Sequence, residues 1–338
     1  MHASEIPTPA PVIDRRTFDA NLDIMTAARP GAGLRPHVKA HKCTAIAMAQ
    51  HDRGHVGFTC ATPREVLGMA HAGLGADLLL ANETVDGRRL AAMAALQDEA
   101  SITVAVDSEA TLCAAMAAGI RRCVIDIDVG LPRCGCPPTD AGHLADTARA
   151  GGLEVRGVMG YEGHLMMVTD RAQRRQQVAD SMVLLRQAHE DVGGDIVSAG
   201  GTGTYDLHDE TGITELQAGS YALMDTQYAA LGLPFGQALT IQGTVIAVKD
   251  GYAVADVGLK ALGMDHGLPQ VAIDGVDVWF CSDEHITFGT GPVQLTVGGP
   301  VPVLPAHVDP TMAMHALAYV LDGDDVVDEW PIDLRGWD

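Results

Sequence analysis

The chain has 338 residues, 47% of them hydrophobic and 20% charged, which is room for one large α/β domain with a smaller companion and excludes a disordered chain. Forty-four acidic side chains against 22 basic ones leave a formal charge of −22, a balance that repels nucleic-acid phosphates and anionic lipid and argues against either partner. No apolar run reaches membrane-span length, and the first residues lack the basic and apolar regions of a signal peptide. The seven cysteines are scattered. Cys134-Gly-Cys136 is the one close pair, and its spacing is neither a zinc nor a redox motif, so reduced thiols in a cytoplasmic protein are expected.

In chain order, a short strand is expected at 10–13, ahead of the barrel strands, where it could belong to either domain. From about residue 33 to 225, β-rich runs alternate with Ala-rich helical stretches. Strands are expected at 34–38, 56–60, 77–81, 102–106, 123–128, 155–160, 196–199 and 215–218, with helices such as 62–72 and 171–191 between them. Eight strands, each followed by a helix-like segment, is the count of a (β/α)8 TIM barrel, an α/β fold. A doubly wound open sheet uses the same alternation, but no G-x-G-x-x-G follows the first strand.

After about residue 235 the texture changes. Runs at 237–248, 252–257, 271–273, 276–281, 293–297 and 301–304 read as strands between Gly and Pro turns, a second, all-β domain. The expected division is a barrel over 10–235 and a C-terminal β domain over 236–338, to which residues 1–9 are assigned if anywhere.

Lysine is scarce: Lys39, Lys42, Lys249 and Lys260 are the only four. Two of them sit in Leu34-Arg-Pro-His-Val-Lys-Ala-His-Lys42, at the end of the first barrel strand, where a barrel builds its active-site face. A lysine there can lose its proton through desolvation and neighbouring cations such as Arg35 and Lys42, and the free amine can form a Schiff base. The same residues also read as a solvated basic loop. Glycine-rich turns follow strands seven (Ser198-Ala-Gly-Gly-Thr-Gly-Thr-Tyr205) and eight (Gln217-Ala-Gly-Ser-Tyr221), where barrels commonly hold a phosphate. Arg133 follows strand five and Tyr161-Glu-Gly-His164 follows strand six, supplying a donor for an anionic oxygen and a general base, or ordinary surface residues.

The strings RPHVKAHK, DVGLPRCG, GYEGH, SAGGTGTY and ELQAGSYALMD occur in the order seen in D-threonine aldolases and eukaryotic-type D-serine dehydratases. The chain resembles these pyridoxal phosphate (PLP) enzymes of the alanine racemase-like, fold type III class over essentially its whole length. The resemblance implies that Lys39 binds PLP covalently. It also implies that Gly201, Thr202, Gly203 and Thr204 cradle the phosphate, with Gly219, Ser220 and Tyr221 completing the cup. Arg133 would face the phenolic oxygen of the cofactor, with Tyr161 beside it. His164 matches the histidine assigned in the aldolases to take the proton from the substrate's β-hydroxyl.

Leu304-Pro-Ala-His-Val-Asp-Pro310 resembles the family's metal-binding string, which implies a divalent metal at His307 and Asp309. On a strand, residues i and i+2 share a face, so the two side chains are expected on one ion. The dehydratases usually carry Cys at the second position. Asp309 is a hard oxygen donor that favours Mn²⁺ or Mg²⁺ over Zn²⁺ and leans toward the aldolases. Ala306 replaces the usual Asn beside the histidine, and Ser282-Asp-Glu-His285 matches a further family string near the site, with no role assigned to His285. The implied activity is cleavage of D-3-hydroxy-α-amino acids to glycine and an aldehyde by a homodimer acting on a small-molecule amino acid. The alternatives are a dehydratase giving a 2-oxo acid and ammonia, an amino-acid racemase, and a non-enzymatic PLP carrier.

Overall fold

The structure, a computed structural model, describes residues 1–337; Asp338, the last residue of the expected β domain, lies outside them. The chain forms two compact units. One is built from Met25–Lys39 and Ile46–Gly219 with Gly336 and Trp337, the other from Met1–Ile24, Ala40–Ala45 and Ser220–Arg335.

The first unit contains β2 (Gly57–Cys60), β3 (Asp77–Leu80), β4 (Ile102–Val106), β5 (Arg122–Asp126), β6 (Glu154–Gly160), β7 (Ile196–Ala199) and β8 (Glu215–Leu216), all parallel and in sequential order in one sheet. Helices α3 (Pro63–His71), α4 (Gly87–Ala95), α5 (Glu109–Ala117), α6 (Ala141–Ala150) and α7 (Arg171–Val192) alternate with these strands. Residues 34–37 close the sheet. Leu34 pairs with Leu216 and His37 with Thr59, while Arg35 N–H donates to Leu216 O (2.9 Å) and Thr59 N–H to Pro36 O (2.9 Å). The expected first strand is thus present as an irregular stave, because Pro36 has no N–H to offer the ladder and the chain turns into a 3-10 turn at Val38–Ala40.

Every residue of β2, β4 and β7 is buried, as a parallel sheet covered on both faces requires. Leu79, Ala105, Val124, Met159 and Ile196, from five successive strands, pack as one interior layer. Burial of each large side chain stabilises by about 1.5–3 kcal/mol. The helix starts follow capping chemistry: Thr62 accepts from Glu65 N–H ahead of Pro63, and Asp170 accepts from Gln173 N–H at the head of α7.

At the strand N-termini, Arg35 is bonded through Nε to Glu215 (2.7 Å) and through Nη2 to Asp77 (2.6 Å), and Arg156 reaches Asp77 (2.6 Å) and Thr103 (2.7 Å). The expected place of Arg35 as a cation beside Lys39 is thus corrected: its guanidinium is bound by two carboxylates. Its side chain turns back to the first residues of β3 and β8, away from the strand ends that carry a barrel's chemistry. Burial opposes the charge on Asp77, but its bonds to Arg156 and Arg35 hold the carboxyl below the usual carboxylate range.

The second unit contains β1 (Ala10–Asp14), most of α1 (Arg15–Ala28), the start of α2 (Thr44–His51) and α8 (Thr226–Ala229). Its remaining strands are β9 (Leu239–Lys249), β10 (Tyr252–Ala255), β11 (Gln270–Val271), β12 (Val278–Cys281), β13 (Ile286–Gly289) and β14 (Pro300–Leu304), followed by α9 (Val308–Met314), β15 (Leu317–Asp322) and β16 (Asp325–Pro331). The main sheet runs β12-β13-β10-β9-β1-β15-β16, with β14 paired to β9 and β11. Strand β1 pairs antiparallel with β9 and parallel with β15, so the N-terminal strand belongs to this sheet. Strand β9 alternates buried and partly exposed residues, and Ile241, Val245, Val257, Phe288, Val301 and Val303 lie in its core cluster.

The expected strand at 293–297 is absent: Val293 N–H bonds to Thr290 O and Gly299 N–H to Thr296 O, turn contacts within the glycine-flanked loop. No helix among the described residues is long and apolar enough to cross a membrane.

Candidate active site

Three of the expected cofactor residues converge in the barrel unit. Lys39, half-buried in its 3-10 turn, places Nζ 5.8 Å from the centroid of the Tyr161 ring, and the guanidinium of Arg133 lies 5.6 Å from the same centroid. Each residue follows the C-terminal end of a strand or stave, which is why residues far apart in sequence meet at one ring.

The loop 200–204 packs over the segment after β6. A methyl group on Gly201 would lie 3.0 Å from Met166 Sδ and 3.4 Å from the Tyr161 ring, and one on Gly203 would lie 2.5 Å from the Met166 carbonyl oxygen. Only glycine permits that approach. Beneath the loop sits Glu162, fully buried. Its Oε1 accepts from Thr204 Oγ1 (2.8 Å) and His208 Nε2 (3.0 Å), and its Oε2 from Gly200 N–H (3.2 Å). Burial opposes ionisation, but these bonds and the His208 partner hold the carboxyl below its ordinary range. The Thr204 hydroxyl is therefore committed to Glu162, and it also receives Gly201 N–H (3.3 Å). Its contribution to an anion cup is to shape the loop. Glu162 and His208 carry no motif of their own and escaped assignment, although Glu162 stands inside the Tyr161–His164 string.

His164 has a different setting. It is exposed, rests on Gly130 and lines a cavity of about 390 Å³ with Val129, Gln177, Asp180 and Leu184. Next to Arg133, Glu83, Asp107 and Cys134 bring their polar atoms within 4.8 Å of one another. Burial and the neighbouring Glu83 raise the Asp126 carboxyl well above its ordinary value, and burial pushes the Cys134 thiol up to about 11. No disulfide joins any of the seven cysteines.

In the β unit, His307 is the N-cap of α9 and Asp309 lies in its first turn. The expectation of a strand that aligns the two is thus corrected: β14 stops at Leu304, and Pro305 leads into a helix. Asp225 ties this turn down, its Oδ2 accepting from Val308 N–H (3.0 Å) and its Oδ1 from Tyr228 N–H (2.9 Å). Burial raises the Asp225 carboxyl. Ser220 Oγ donates to Asp309 Oδ1 at 3.4 Å, and the Tyr221 ring is buried against Phe235. His307 Nδ1 lies 2.7 Å from Asp265 Oδ2, and the His266 ring stacks on His307 at 3.9 Å. His285 is exposed in the turn between β12 and β13. Gly219 closes the barrel unit's stretch and is buried, as is Thr202.

Both implied groups fit these residues. The glycine cradle over Met166 and Tyr161, beside a half-buried lysine and an arginine, suits a phosphorylated aromatic cofactor. For a divalent cation, His307 with the Asp265 carboxylate behind it offers a nitrogen donor, and Asp309 two residues on offers an oxygen donor, chemistry of the kind such ions take.

Residues 13–227 match the family model "Alanine racemase, N-terminal domain", and residues 238–321 match "Putative serine dehydratase domain". The chain is 33% identical to the D-threonine aldolase of Arthrobacter sp, over 99% of this chain and 94% of that one. The solved D-threonine aldolase of Filomicrobium marinum superposes with a TM-score of 0.90 at 32% identity, covering 99% of this chain and 96% of that one. The D-threo-3-hydroxyaspartate dehydratase of Delftia sp. HT23 gives 0.87 at 26% identity, covering 99% and 100%. A D-threo-3-hydroxyaspartate dehydratase is also solved as variants with a histidine, or a cysteine two positions later, replaced by alanine, the cysteine variant in a metal-free form. The barrel, the separate β unit and this full-length likeness place the chain in the alanine racemase-like, fold type III family that includes the D-threonine aldolases and the eukaryotic-type D-serine dehydratases.

Proposed function

We propose that this protein is a PLP- and divalent-metal-dependent lyase that cleaves D-3-hydroxy-α-amino acids into glycine and an aldehyde. The observation that carries this reading is the likeness to a D-threonine aldolase over 99% of the chain, joined to the carboxylate Asp309 two residues after His307. In the related dehydratase, the histidine and cysteine variants differ by the same spacing. A hard oxygen donor there favours Mn²⁺ or Mg²⁺ over Zn²⁺.

Lys39 would hold PLP covalently. The loop 200–204 would receive its phosphate, and Arg133 with Tyr161 would flank its ring. When bound, PLP supplies an electron sink for the pair left on Cα. A divalent ion held by His307 and Asp309 supplies a Lewis acid that makes a hydroxyl easier to deprotonate. His164 is the base for the β-hydroxyl proton; its imidazole is exposed, so a proton accepted there returns to solvent. Glu162, through Thr204 and Gly200, keeps the loop in shape while the phosphate is held.

The test is product analysis with D-threonine and with D-3-hydroxyaspartate on PLP-loaded protein supplied with Mn²⁺, before and after EDTA. Glycine and an aldehyde, lost with the metal and restored by Mn²⁺, are expected. Release of a 2-oxo acid and ammonia would replace the reading with a dehydratase, the activity named for the Delftia relative.

A further inference from the structure

We propose that Asp265 is the positioning residue of the metal centre, holding His307 in the tautomer and ring orientation that present Nε2 to the ion; this rests on the metal-dependent reading above. The Asp265 carboxylate lies 2.7 Å from His307 Nδ1. A carboxylate only accepts, so Nδ1 carries the hydrogen and the imidazole lone pair is left on Nε2. A carboxylate behind a ligating histidine fixes its orientation and raises its basicity.

The backbone holds the two residues in register. Gly263 and His307 pair as an antiparallel bridge, Gly263 N–H donates to Thr311 Oγ1 (2.9 Å), and Thr311 Oγ1 donates to His307 O (2.6 Å). A side chain at Gly263 would collide with the Pro310 ring. The 263–266 segment is thereby fastened to the turn that carries His307 and Asp309.

Asp265, His266 and His307 bring potential ligand atoms within 4.8 Å of one another, which raises the alternative of a three-ligand site. Ring geometry argues against it. The His266 and His307 rings are stacked with centroids 3.9 Å apart and planes 8° from parallel. An imidazole lone pair lies in its ring plane, and two stacked, near-parallel planes do not converge on one ion at metal–nitrogen distances of about 2.0–2.1 Å. His266 therefore buttresses the His307 ring from its face, while Asp265 holds its edge.

The experiment measures Mn²⁺ affinity of the PLP-loaded protein by calorimetry and by the electron paramagnetic resonance signal of free Mn²⁺. It compares the unsubstituted protein with Asp265→Ala, Asp265→Asn and His307→Ala. Asp265→Ala is expected to weaken Mn²⁺ binding by about 10–100-fold. Asp265→Asn should restore most of it, because the amide oxygen still accepts from Nδ1–H, and His307→Ala should bind no Mn²⁺ at the site. Because Asp265 is exposed, far-UV circular dichroism and PLP absorbance should match across the set. Unchanged affinity in Asp265→Ala would overturn the inference and leave the metal reading standing. A loss as complete as that of His307→Ala would also overturn it, making Asp265 a ligand. Absence of Mn²⁺ binding by the unsubstituted protein would overturn the metal reading itself.

Discussion

Glu162→Gln is the substitution whose outcome follows most directly from the geometry. Glu162 has no solvent exposure and accepts three hydrogen bonds, two at Oε1 from Thr204 and His208 and one at Oε2 from Gly200 N–H. Glutamine has one accepting oxygen. Placed at the Oε1 position, it keeps Thr204 and His208 but turns its NH₂ toward Gly200 N–H, donor against donor. The charge assistance to His208 is lost, and a buried amide N–H is left without an acceptor. Bonds to charged groups contribute about 1.5–3 kcal/mol, and an unsatisfied buried group costs about 1–3 kcal/mol. Together these give an expected loss of roughly 3–5 kcal/mol.

The effect should also reach the cofactor, because Gly200 and Thr204 frame the loop. PLP affinity, read from the visible absorbance of the lysine-bound cofactor, should fall at least tenfold; each factor of ten corresponds to about 1.4 kcal/mol. The pH dependence has a definite sign. The folded-state carboxyl lies below its unfolded value, so its contribution is complete above the ordinary glutamate range and is lost as pH falls through the folded value. Urea denaturation at several pH values should show this acid-side loss in the unsubstituted protein and a shallower one in Glu162→Gln, where only other carboxylates such as Asp77 still contribute. Stability within about 0.5 kcal/mol of the unsubstituted protein, with unchanged PLP affinity, would refute the reasoning.

Two further outcomes are expected. Arg35→Ala leaves the buried carboxylate of Glu215 without its Nε partner and removes one of the two arginines on Asp77, which should cost about 3–5 kcal/mol. Asp77 is also held below its unfolded value, so stability present above the carboxylate range declines on acidification, and melting curves across pH should show a shallower decline in Arg35→Ala. Gly203→Ala places a methyl group 2.5 Å from a backbone carbonyl oxygen, which cannot rotate away. Overpacking of about 1–3 kcal/mol should displace the loop and lower PLP affinity with little effect on Mn²⁺ binding; equal PLP affinity would show that the loop is not the phosphate cradle.

The barrel was legible because parallel strands are buried on both faces and read as short apolar runs; the expected strands at 102–106 and 196–199 coincide with β4 and β7. Strands β15 and β16 were missed. β16 is rich in acidic residues and mostly exposed, so no apolar alternation marks it, and its existence follows from pairing with β15 across a turn at Gly323. Lys39, Arg133 and Tyr161 could be grouped from sequence because each follows a strand end. Arg35 could not be placed, since the side chain's direction depends on partners 42 and 180 residues away. The His307–Asp309 pair was read with the period of a strand where the chain had already entered a helix. Asp265 and His266 lie in a turn without periodicity, where only the fold reveals that they meet His307.

The central claim, scission of the Cα–Cβ bond, is tested most directly by running the D-threonine reaction in D₂O with PLP and Mn²⁺ and reading the products by NMR. Retro-aldol cleavage predicts glycine carrying one solvent deuterium at Cα in equal amount with acetaldehyde. Formation of 2-oxobutyrate and ammonia, or return of D-threonine exchanged at Cα without cleavage, would contradict it.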